Sequence, residues 1–183
     1  VEIMAEEQGV NTATDSQDIV GAQFLVQKLY AKDVSFELPN APNVFREQGQ
    51  ADVKMSLAQR VDSLGENLHE VVLTVTVTAT LGEKTAYLAE VAQAGIFLIS
   101  GFNEQATHAV INTMCPGTLF PYARRTISGL VAEGGFPPLV LQPVNFEQLY
   151  AQRMQELMNQ QSAAAPGQQD GDTVVAAEFP ADN

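Results

Sequence analysis

The sequence predicts an α+β domain, with four antiparallel strands first and helices packed on them afterwards. Three observations carry this. From Phe24 to about Ser100, apolar and polar residues alternate with a period of two, the mark of half-buried strands. Gly82-Glu83 interrupts the longest alternation, glycine first, as a two-residue type II′ hairpin turn requires. Past Gly101 the period changes, and Ala106, Ala109, Val110, Thr113 and Met114 fall on one helical face. Strands in one run and helices in the next make an α+β domain.

The first strand is expected over Phe24–Leu38. Alternation puts Phe24, Val26, Tyr30, Val34, Phe36 and Leu38 on one face, and Leu25, Leu29, Asp33, Ser35 and Glu37 on the other. Lys28 and Lys32 interrupt it. Pro39 and Pro42 end it, because proline has no ladder donor and fixes its own φ. The connection that follows, to about Gln50, exceeds what a hairpin needs and is expected to cross over another part of the domain. It carries the apolar pair Val44-Phe45 in a polar setting, which needs an explanation.

A second strand alternates Val53, Met55 and Leu57 against Asp52, Lys54 and Ser56. The third is the clearest. Val71, Leu73, Val75, Val77, Ala79 and Leu81 line one face, and Thr74, Thr76, Thr78 and Thr80 the other, with β-branched residues common in both sets. A regular hairpin then pairs Leu81 with Lys84, Val77 with Leu88 and Val75 with Glu90. That register leaves Glu90 on the apolar face, where a charge is costly unless paired.

Two helices are expected next: a short one through 106–114, then a longer one opening at Pro116 or Pro121. The longer one turns Ala123, Ile127, Leu130 and Val131 inward and stops at Gly134-Gly135. "FPPLVLQPV" holds too many prolines for a helix or central strand and reads as a packed extended segment. A last helix starts at Asn145 as N-cap, with Gln148 three residues on and Val144 stapled to Leu149. Residues 1–22 and 161–183 lack periodicity and are expected to be flexible acidic ends flanking a domain over 23–160.

Charge sharpens the division. Of 183 residues, 22 are acidic and 9 basic, for a net charge of −13. Residues 1–27 carry −5, 28–153 carry −3 and 154–183 carry −5. Such a chain repels phosphate backbones and anionic headgroups, which excludes nucleic acid and insertion into a membrane as expectations. Cys115 is the only cysteine, so no intrachain disulfide forms. With no signal-like start and no apolar run near 20 residues, a soluble, unprocessed, cytoplasmic protein is expected.

Reaction chemistry is hard to find. His69 and His108 stand on different elements without ligand-spaced partners, so no metal and no other cofactor is expected. Cys115 beside Pro116 lacks a base and reads as a buried structural thiol. Nucleophile elbow, phosphate loop and dinucleotide fingerprint are all missing. Asp33 and Glu37 share a strand face but stand about 13 Å apart by strand rise, beyond glycosidase spacing. No catalytic residues are assigned.

Three stretches, "LYAKDVSFELPNAPNVF", "EVVLTVTVTATLGEKTAYLAEVAQAGIF" and "MCPGTLFPYARRTISGLVAEGGFPPLVLQPVNFEQLY", resemble the SecB protein-export chaperones. The match runs in order from residue 24 to about 155. It implies a homotetramer, a dimer of dimers, that binds unfolded precursor proteins without ATP and delivers them to the SecA motor ATPase. By motif, Asp33 and Glu37 of "KDVSFE" and Leu81 and Glu83 of "LGE" match the surface that docks SecA. Lys84 stands where the family often has another acid, Ala94 replaces a common glycine, and Met114 a common aromatic.

The resemblance also makes "PNAPNVF" the crossover loop that, with the main helix, walls a hydrophobic groove for extended client segments. Candidate groove residues are Val44, Phe45, Phe97, Phe120, Tyr122, Phe136, Leu139, Leu141, Phe146 and Tyr150. About half of these are expected in the core instead, since large apolar residues usually are. Met154 and Met158 suit either an adaptable lid or ordinary helix packing. On the residues alone, the acidic strand face could be a simple solvated face. The alternative function is an oligomeric adaptor that binds a folded partner through that face.

Overall fold

The computed structural model describes residues 21–163 and 179–180. Four long strands, β1 (Gln23–Glu37), β2 (Asp52–Gly65), β3 (Leu68–Leu81) and β4 (Lys84–Ser100), form an antiparallel sheet in the order β1-β4-β3-β2. Two helices follow, α1 (Glu104–Glu133) and α2 (Phe146–Ala163), and a two-residue strand β5 (Phe179–Pro180) pairs with the outer edge of β2. The expected acidic ends fall mostly outside the described residues; α2 itself runs to Ala163.

The helix-covered inner face follows from alternation. Val71, Leu73, Val75, Val77 and Ala79 of β3 are buried there with Ala89, Val91, Phe97 and Ile99 of β4 and Met55 and Leu57 of β2. Across from them α1 lays down Cys115, Leu119, Ala123, Ile127 and Val131, one every four residues, all buried. The threonines of β3 face outward, as expected.

Register departs from simple alternation in four places, one of them at the end of β2 between Ser63 and Gly65, and the other three matter here. β1 slips between Val26 and Lys28 and again between Ala31 and Asp33. Each extra residue flips the face of everything beyond it. Leu29 therefore turns inward opposite Gly95, and Tyr30 outward opposite Ala94, the reverse of the expected assignment. The second slip restores Asp33, Ser35 and Glu37 to the outer face.

The third slip lies beside the hairpin. Gly82, with φ of 59°, makes the expected turn and Leu81 pairs with Lys84, but Ala79 pairs with Tyr87 and Val75 with Val91. The expected pairing of Val75 with Glu90 is thus corrected: Glu90 lies opposite Thr76 on the outer face, where Thr76 Oγ1 donates to Glu90 Oε2 at 2.7 Å. One bulged residue spares the core a carboxylate. It also carries Tyr87 inward to near-complete burial.

The expected break near Pro116 or Pro121 is absent, and α1 is one 30-residue helix containing both prolines. Each proline removes an intrahelical donor and in isolation costs roughly 3 kcal/mol. Cys115 through Val131 spans both prolines without leaving the inward line. Packing against the sheet therefore outweighs local propensity. Asn103 caps the start, accepting from Ala106 N–H at 2.8 Å, and Gly135 at φ 85° ends it. The expected cap of α2 is present: Gln148 N–H donates to Asn145 Oδ1 at 2.9 Å.

Candidate functional site: an apolar cleft and an acidic face

Val44 resolves the puzzle of an apolar pair in a polar loop. The connection after β1 makes a short 3-10 turn, Asn43–Arg46, that drives Val44 into the core at 1% exposure and leaves Phe45 51% exposed. Two polar ties hold the loop against the hairpin. Asn40 Nδ2 donates to the Thr85 carbonyl at 2.9 Å, and Lys84 Nζ meets Glu47 Oε1 at 2.5 Å. Lys84 is thereby engaged with Glu47, and Glu83 stands exposed at the turn.

Facing this loop, the extended segment from Phe136 to Gln142 forms the other wall of a cleft of about 1040 Å³. Its lining includes Val53, Leu81, Tyr87, Phe136, Leu139 and Val140. Aromatic rings close one side: Phe136 lies 5.0 Å from Tyr87 and 5.3 Å from Phe45, centroid to centroid. Polar atoms at the rim come from Gln50, Asp52 and Gln142. An open apolar trough with a polar rim suits an extended chain of mixed sequence.

The candidate groove residues separate into groups. Phe136 and Leu139 line the cleft, and Phe45 backs its wall through Phe136. Val44, Phe97, Phe120 and Leu141 are core residues with at most 4% exposure, so they support the walls from behind and present no free surface. Phe146 and Tyr150 belong to the first turns of α2, where with Leu57, Leu73 and Leu149 they border a small apolar hollow. Tyr122 is exposed on α1, away from these linings. Sequence reading missed Tyr87, Val53 and Val140. Tyr87 was hidden by the bulge, which an unbroken hairpin register would have placed on the outer face.

On the opposite side of the sheet, Asp33 and Glu37 are exposed on β1, and Ser35 between them lies opposite Glu90 of β4. Three carboxylates thus share one end of the outer face, with Glu83 at the adjoining turn. Leu81 is not among them; it turns to the inner side and into the cleft. One outer-face acid of β3 behaves differently. Glu70 is buried to 8% exposure and receives Lys32 Nζ at 2.7 Å and the Tyr30 hydroxyl, with Arg60 Nη2 at 3.7 Å.

Those hydrogen bonds, Lys32 first and Tyr30 second, hold the Glu70 carboxyl below its usual pKa. A depressed carboxyl adds stability that is complete above the unfolded value, about 4.3, and is lost as pH falls through the lower folded value. Glu70→Gln should therefore destabilise the fold by about 1–2 kcal/mol at pH 7 and by less at pH 3, read from urea midpoints at the two pH values. The Cys115 thiol is pushed up to about 12 by burial, which leaves it a thiol at neutral pH. His108 is engaged with Tyr150, its Nδ1 2.9 Å from the hydroxyl.

No group of three or more metal-ligating side chains occurs among the described residues, and no described helix is long and apolar enough to cross a membrane. What the fold and site define is a binding protein: a sheet-and-helix body that offers an apolar cleft on one side and a carboxylate face on the other. The family model for SecB, described as preprotein translocase subunit SecB, matches residues 17–157. The protein-export protein SecB of Stenotrophomonas maltophilia is 48% identical over 160 residues, covering 87% of this chain and 93% of that one. The protein of the same name from Methylococcus capsulatus is 52% identical over 144 residues, covering 79% and 93%. This chain belongs to the SecB family.

Among solved structures, a SecB-like chaperone of Mycobacterium tuberculosis, in complex with a ChAD peptide from the HigA1 antitoxin, shares the fold. It aligns with a TM-score of 0.53 at 18% identity, covering 67% of this chain and 91% of that one.

Proposed function

We propose that this protein is an export chaperone that holds unfolded precursor proteins in its cleft and hands them, from the cytoplasm, to SecA. Membership of the SecB family supports the export role, and the single structural observation that carries the holding role is the 1040 Å³ trough walled by Phe136, Leu139, Val140 and Tyr87. Nothing in such a trough acts on a bond. A client segment that buries about 400 Å² of apolar surface gains about 10 kcal/mol before ordering costs, at about 25 cal/mol per Å². Immobilising both chains consumes much of that gain.

Several clefts on one assembly would recover affinity through effective concentration. The proposed assembly is a homotetramer, a dimer of dimers. Apolar surface left open on one copy supports it: Val26 and Val34 on the inner side of β1 and Met114 and Tyr122 on α1 each remain 42–48% exposed. Asp33, Glu37 and Glu83 form the proposed docking face for SecA, with Glu90 beside them. Separating that face from the cleft lets the motor dock while a client is still held.

The test is native mass measurement of the full chain with a urea-unfolded precursor and with the same precursor folded, in the absence of ATP. A tetramer that retains only the unfolded form is the expected result. Equal retention of both forms, or of neither, would reject the reading and favour an adaptor for a folded partner.

A further inference from the structure

We infer that the C-terminal strand β5 is an internal stand-in for client chain, occupying the edge of β2 beside the cleft and yielding it when a client arrives. This rests on the cleft being the client site. β2 pairs with β3 along its whole length, and among the described residues its other edge is met only by β5, antiparallel, with Met55 opposite Phe179 and Lys54 opposite Pro180. The two residues just before them, Asp52 and Val53, line the cleft. Edge and cleft are therefore continuous.

An open strand edge presents backbone donors and acceptors in a row. Such an edge binds extended chain through main-chain hydrogen bonds, which ignore side-chain identity, while a neighbouring apolar trough takes the side chains. That combination fits a protein that accepts many unfolded sequences. The observed occupant shows that the edge takes an antiparallel strand.

β5 is built to be displaced. Among the described residues two pair, fewer than an independent strand needs. Pro180 lacks a backbone N–H, so the added strand offers a poor outer edge for a further one. Fifteen residues, 164–178, join the end of α2 to β5. Extended chain of that length reaches at most about 50 Å. The tether supplies a local concentration on the order of millimolar. Competition of this kind weakens apparent client affinity by the fraction of time the edge is covered.

The test uses the full chain with Cys115→Ser, Lys54→Cys and Pro180→Cys, compared oxidised and reduced for capture of an unfolded precursor. An intramolecular disulfide should form under mild oxidation and lower client affinity at least about fivefold, with recovery on reduction. In a second variant, Phe179→Pro removes a backbone donor without changing charge and should tighten capture about two- to tenfold. Failure of the disulfide to form, or a disulfide that leaves capture unchanged, overturns the inference. Loss of capture in every form, including the unaltered chain, instead overturns the proposed function.

Discussion

Phe45→Asp together with Val140→Asp lowers affinity for an unfolded precursor at least about 100-fold while leaving the fold intact. Neither side chain is needed by the core, since Phe45 is 51% and Val140 70% exposed. Val140 lines the cleft and Phe45 adds exposed apolar surface beside it against Phe136, and covering a side chain of this size is worth about 1.5–3 kcal/mol. Their replacement also forces two carboxylates to be desolvated or the client to stand off. Two lost apolar contacts at 1.4 kcal/mol per tenfold amount to two orders of magnitude or more. Fluorescence titration with a labelled precursor measures the loss, and circular dichroism checks the fold. Val44→Asp is the contrasting control: with Val44 at 1% exposure, it should detach the crossover loop and lower the melting temperature. Unchanged affinity in the double variant would move the client site away from this cleft.

The second large effect separates the two faces. Asp33→Ala with Glu37→Ala should weaken SecA binding at least tenfold and flatten its dependence on salt, with client capture unchanged within about twofold. Exposed carboxylates act at a docking surface chiefly through long-range attraction, which ions screen over about 8–10 Å. Glu90→Gln added to the pair should deepen the loss, because Ser35 and Glu90 are cross-strand neighbours on the same face. Surface plasmon resonance at two salt concentrations measures the docking. Loss of client capture along with docking would indicate a folding defect and undo the assignment of separate faces.

The acidic face was visible in the sequence for a fortunate reason. Two slips in β1 cancel before Asp33, so simple alternation regains the correct phase there and is wrong only between them, at Leu29 and Tyr30. The cleft was half visible. Phe136 and Leu139 were marked as candidates, but apolarity cannot separate a wall from the core behind it. Val44 and Phe45 are adjacent and equally apolar; the 3-10 turn alone buries one and exposes the other.

By itself the sequence determined what local rules encode: the period-two faces of β3, the glycine-first turn at Gly82, the Asn145 cap and the motifs that mark the family. Tertiary structure alone decided that Tyr87 faces the cleft, that Glu90 meets Thr76, that α1 passes unbroken through two prolines and that β2 receives β5. The physical reason is common to all four. Bulges, tolerated prolines and edge pairings are each unfavourable or neutral within their own segment, and they persist because contacts with a distant segment outweigh the local cost.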